Sequence, residues 1–137
     1  HRDPLKTEPS SLSTLATVRW ERSGEVELPE ANGAGLGDVM MLLAQRRAAG
    51  DLPDQIVDSH FSDLMSDPVA AIDQLYGQMQ RPFLGEHADA IRNYLEAKPK
   101  GKFGKHKYSA EEWGFDPAKL REKMLPYTDY YDIKLEA

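Results

Sequence analysis

The chain has 137 residues, 40% of them hydrophobic, with no cysteine and a formal net charge of -6, which is one domain's worth of soluble fold with one modest core. The missing cysteines exclude disulfides, thiolate metal sites and a cysteine nucleophile, and the four histidines show no zinc-ligand spacing. No apolar run reaches a membrane span, no signal-peptide pattern appears, and the negative charge disfavours a protein that coats nucleic acid; a cytoplasmic protein with no membrane span and no nucleic-acid partner is expected.

The chain opens on HRDPLKTEPS. Glu8, standing before a proline, is biased toward extended geometry, and Pro9 suits the first position of a helix. Leu12, Leu15, Ala16 and Trp20 then recur at the spacing of one buried helical face, so a helix is predicted over 9–22. Ser10 falls in its first turn, where free amides, the Ser10 hydroxyl and the Arg2 guanidinium could cup a phosphate or sulfate. On spacing alone the commoner arrangement is favoured, with Ser10 a simple cap and Arg2 paired with Asp3 or Glu8.

Residues 21–37 read as a connector broken by Gly24, Pro29, Gly33, Gly35 and Gly37. GAGLG lacks both the hexapeptide spacing and the preceding strand of a dinucleotide fingerprint. Asp38 is the expected N-cap of a helix over 39–49, with Arg46 and Arg47 in its last turn and Gly50 at the stop. QIVDSHF, residues 55–61, is the one persuasive strand, and its sheet partners would have to come from elsewhere. SDP at 66–68 supplies a cap and a first-turn proline for the next helix, which places Val69, Ile72, Leu75, Tyr76 and Met79 on one face. A further helix over 86–98 ends at Pro99.

KPKGKFGKHK, residues 98–107, then carries five lysines and no acid, a local basic loop on an acidic body. SAEE at 109–112 is a capping box opening a single turn that closes at Gly114. Asp116 and Pro117 start a last helix to about Met124, with Pro126 as its stop. Tyr127, Tyr130, Tyr131 and Ile133 are spaced to pack back onto the body.

The order of these motifs resembles the sulfotransferases that use 3'-phosphoadenosine 5'-phosphosulfate (PAPS), in their bacterial-type branch. Arg2 and Ser10, eight residues apart, resemble the arginine and serine that hold the donor's 3'-phosphate. DSHFSDLMSDP is similar to the family's strand and turn of the form Y-E-D-L-x-x-D-P, with Phe61 and Ser62 where tyrosine and glutamate are usual. KGKFGKHKY resembles the loop R-K-G-x-x-G-x-x-K-x-F, with Pro99 in place of the arginine.

The resemblance implies an α/β fold, the helix-rich C-terminal portion of a P-loop-like domain with a central parallel sheet to which 55–61 would contribute a strand. It implies that residues 1–137 are the C-terminal part of one sulfotransferase domain, whose missing N-terminal half cradles the phosphosulfate. Arg2, Ser10, Lys100, Gly101 and Lys102 would hold the 3'-phosphate, and Phe61 would lie against adenine. PAPS would be the donor, its desulfated product adenosine 3',5'-bisphosphate (PAP), and the acceptor a small molecule bearing a hydroxyl or amine; no metal is implied. The leaving-group lysine and the general base lie upstream in such enzymes, so this chain holds no catalytic residue and would be inactive alone. The alternative is a non-catalytic phosphate-binding or interaction module that keeps the 3'-phosphate cup.

Overall fold

The computed structural model describes residues 1–24, 35–99 and 109–136, and every regular element among them is helical. This corrects the expected α/β fold: no strand and no sheet forms among the described residues. Residues 55–60 do run without helix, and His60 is extended with φ -93° and ψ 134°. Two backbone hydrogen bonds bracket His60, from the nitrogen of His1 to the Ser59 carbonyl and from the Phe61 amide to the His1 carbonyl at 2.8 Å. That is the exchange of a parallel pair, but it is one residue long. A strand without a second ladder to bond has no regular structure to join, and Phe61, expected to end it, instead opens a short helix.

The chain divides into two compact units, one of residues 2–52 and 107–137, the other of His1 with 53–106. The first contains α1 (Pro4–Ser23), α2 (Leu36–Ala48), a single 3-10 turn (Glu111–Trp113) and the last helix, α6 (Pro117–Tyr130). The second contains α3 (Phe61–Ser66), α4 (Pro68–Gln78) and α5 (Gly85–Ala97). None of the described helices is long and apolar enough to cross a membrane.

Helix α1 begins a turn and a half before the expected Pro9. Asp3 caps it, its Oδ1 accepting from the Leu5 amide at 3.0 Å, and Pro4 takes the first helical position. Pro9 therefore sits inside the helix, buried, where it withholds one backbone donor. Ser10 lies about 9 Å along the axis from Pro4 at 1.5 Å per residue, so it is not in the first turn. The same correction applies at the other end of the chain: α6 runs through Pro126 rather than stopping at it. There Thr128 turns its hydroxyl back to the Met124 and Leu125 carbonyls, at 3.3 and 3.1 Å.

Short-range signals elsewhere are met. Asp67 caps α4 through the amides of Val69 and Ala70 at 3.1 and 3.0 Å, and Asp116 caps α6 through Ala118 and Lys119 at 3.0 and 3.2 Å. The capping box closes reciprocally, Glu112 amide to Ser109 Oγ at 3.2 Å and Ser109 amide to Glu112 Oε2 at 2.8 Å. Gly114 then leaves the turn at φ 77°, a left-handed conformation that favours glycine.

The core of the first unit gathers Leu12, Ala44, Phe115, Leu120, Met124, Tyr127, Tyr131 and Ile133, with Leu5, Met40 and Met41 packed at its border. Of the four tail residues expected to fold back, Tyr127, Tyr131 and Ile133 do so, and Tyr130 is exposed while its ring meets Tyr131 edge-on at 4.8 Å. The second unit packs Ala71 and Ala88 inside and joins Tyr76, Phe83 and His87 in a ring cluster with centroids 5.3 to 5.9 Å apart. Met124 is fully buried between α1 and α2 residues, whereas its neighbour Leu125 is half exposed. Met124→Ala is expected to cost about 2–5 kcal/mol and Leu125→Ala about 0.5 kcal/mol or less, read as a shift of the urea midpoint at unchanged slope.

Candidate anion-binding site

Arg2 immediately precedes the cap of α1, and its guanidinium is engaged by Glu136. Nε donates to Oε1 at 2.7 Å and Nη2 to Oε2 at 2.9 Å, a fork-to-fork pair in which both side chains are about a third exposed. Such bidentate geometry is what makes arginine suited to carboxylate and phosphate oxygens. The hydrogen bonds from Arg2 hold the Glu136 carboxyl below the usual glutamate range; partial burial opposes them, and the charges of Arg2 and Lys6 assist. Arg2 thus pairs with an acid that is 134 residues away.

The backbone of Glu136 is held separately. Its amide donates to Oδ2 of Asp3 at 2.8 Å, and Asp3 is only 1% exposed. The same carboxylate faces Arg121 Nη1 at 3.6 Å. One buried acid therefore caps α1, anchors the C-terminal segment and balances a cation of α6.

Ser10 is half-buried on α1, and its carbonyl accepts from Thr14 Oγ1 at 3.0 Å. It stands one helical step of four residues beyond Lys6, so the two share a face of α1. The expected cup of first-turn amides around Ser10 is replaced by this arrangement, with Lys6 between Arg2 and Ser10 in sequence. Lys100, Gly101 and Lys102 lie outside the described residues, as does most of the basic loop; of that loop Lys98 is described, its ammonium 5.0 Å from the centre of the Tyr94 ring.

Phe61 is half-buried as the first residue of α3. A cavity of about 270 Å³ in the same unit is lined by Asp58, His60, Asp63, Gln74, Leu75 and Gln78 among others, and Phe61 is not one of them. His1 Nε2 lies 2.9 Å from Asp58 Oδ1, and the His1 and His60 rings are 5.7 Å apart. No cluster of three or more metal-ligating side chains occurs among the described residues.

A second polar feature went unread in the sequence. Glu8, which is 4% exposed, faces the start of α2, where its carboxyl accepts a hydrogen bond from the Gly37 amide. Gly35, at φ 65°, precedes α2 without a side-chain cap, so Glu8 of α1 supplies the anion that a local cap would have supplied. Asp38, expected to be that cap, stands inside the helix and pairs with Lys123 at 2.7 Å. Glu8, Gly37, Asp38, Asp116, Lys119 and Lys123 edge a cavity of about 270 Å³.

Lys6 could have been found from its four-residue offset from Ser10, and Glu8 carried no cue because its partner lies in a glycine-rich connector. No family profile, curated protein or solved structure matches this chain.

Gly37 is a close approach: a Cβ there would fall 2.5 Å from Glu8 Oε1 and 3.2 Å from Met124 Sδ. Gly37→Ala is expected to destabilise by about 1–3 kcal/mol through overpacking and loss of the Glu8 contact. Burial raises the Glu8 carboxyl above its ordinary value, against the pull of Lys123 and the Gly37 amide. The folded chain therefore holds that proton longer than the unfolded chain, and this contribution to stability is present at low pH and is lost as pH rises from the ordinary glutamate value through the raised one. Denaturation midpoints across that interval should fall with pH more in the wild type than in Glu8→Gln.

Proposed function

We propose that this chain is the part of a PAPS-dependent sulfotransferase that holds the 3'-phosphate and adenosine of the donor. The observation that carries this reading is the Arg2 fork, which holds both carboxylate oxygens of Glu136 in the bidentate manner that arginine also uses with phosphate. Lys6 adds positive charge beside it and Ser10 a hydroxyl one helical step further on. A nucleotide 3'-phosphate is close to a dianion at neutral pH, so fixed cations and a directed hydroxyl are the groups that would bind it. Order and separation of the Arg2 and Ser10 pair, the FSDLMSDP segment and the lysine and glycine loop support the same donor.

PAPS would supply the sulfuryl group, which an acceptor hydroxyl or amine takes as the bond to the phosphate oxygen breaks and PAP leaves. This chain's own residues fix one end of the donor, and such positioning is a large share of the rate in reactions of this kind. The reaction centre belongs to the N-terminal half that the reading requires. A nucleotide-binding module without catalysis would use the same residues, and turnover by the parent protein separates the two.

Titration calorimetry with PAP tests the reading. Arg2→Lys, which keeps the charge and loses the fork, should weaken binding about tenfold or more, and Ser10→Ala about fivefold. Affinity that falls steeply with salt and ignores both substitutions would assign the binding to the lysine loop instead. Absence of PAP binding by the intact parent would end the proposal.

A further inference from the structure

The fork that would receive the phosphate is already filled from within the chain. We propose that Glu136 is an internal competitor for the Arg2 anion site, its carboxylate occupying the guanidinium until a phosphate-bearing ligand displaces it. This deepens the reading above and rests on Arg2 being a phosphate ligand.

Three features of the tail carry the inference. Both carboxylate oxygens of Glu136 are used, one on each of two guanidinium nitrogens, so the pair satisfies the face of Arg2 that a phosphate would need. The charge of Lys6 also favours the ionised Glu136 carboxyl, so a second cation acts on the same group. The main chain of the tail is fixed by other groups: the Glu136 amide on buried Asp3, and Ile133 in the core. Displacement then needs only rotation of the Glu136 side chain, with the amide anchor left in place.

The physical effect is a gate. A carboxylate with one charge, tethered beside the fork, acts at a high effective concentration against weak anions. A phosphate monoester with nearly two charges gains more from Arg2 and Lys6 and can replace it. Ligand affinity is lowered by the fraction of time that the fork is closed.

The test is calorimetric titration of PAP into the wild type, Glu136→Gln and Glu136→Ala, with Glu96→Gln on exposed α5 as a control for net charge and circular dichroism as the check of folding. Both Glu136 variants should bind at least about threefold more tightly than wild type, the control should match wild type, and the gain should vanish in an Arg2→Lys background. Glu136 variants that bind no better than wild type, while Arg2→Lys still weakens binding, would overturn the gate and leave the phosphate site standing. A gain that survives Arg2→Lys would be a general charge effect and would also overturn it. If neither wild type nor the Glu136 variants bind PAP, the phosphate reading of Arg2 fails and the gate fails with it.

Discussion

A single buried carboxylate organises the start of α1 and the C-terminal segment that meets it. Asp3 is almost wholly removed from water, and that is tolerable only because its oxygens are taken up by the Leu5 amide, the Glu136 amide and the nearby guanidinium of Arg121. From this one residue follow the start of α1, the path of the C-terminal segment and the position of Arg2, its immediate neighbour. Replacing it by an apolar residue would leave two backbone amides and a cation to find other partners. The carbonyl of Asp3 also receives the Lys6 and Thr7 amides at 3.0 and 3.1 Å, which completes the first turn.

A second acid repeats the principle between helices. Glu8 lies one helical turn and a residue after Asp3's cap and turns into the opening of α2, whose own preceding residue has no side chain to offer. Gly37 makes the approach possible because a side chain there would stand in the space of the Glu8 carboxyl and of Met124. Helix start, helix packing and core are thus joined at one point, with Lys123 of α6 closing on Asp38 beside it.

Much of the local structure was legible. The caps at Asp67 and Asp116, the prolines that follow them, the capping box of Ser109 and Glu112 and the glycine exit at Gly114 are interactions across two to five residues, and nothing distant competes with them. Errors arose where two local signals conflicted. The helix expected from Pro9 starts instead at Pro4, because Asp3 can accept from the Leu5 amide and Pro9 loses only one donor inside an already formed helix. Residues 55–61 show the limit of strand propensity: β-branched and aromatic side chains favour extended backbone, but a sheet needs a second ladder, and among the described residues His60 finds a partner for a single residue.

By itself the sequence determined what short spacings control: where helices α4 and α6 begin, how the turn before α6 closes, and that Arg2 is a cation with a planar fork. Tertiary structure alone decided what that fork meets and which acids are buried, because Arg2 and Glu136 are 134 residues apart and Asp3 and Glu8 owe their burial to elements distant in the chain. The reason is physical: a cap forms over one turn of backbone, whereas an ion pair between residues 134 positions apart exists only after packing of α1, α2 and α6 has brought them together.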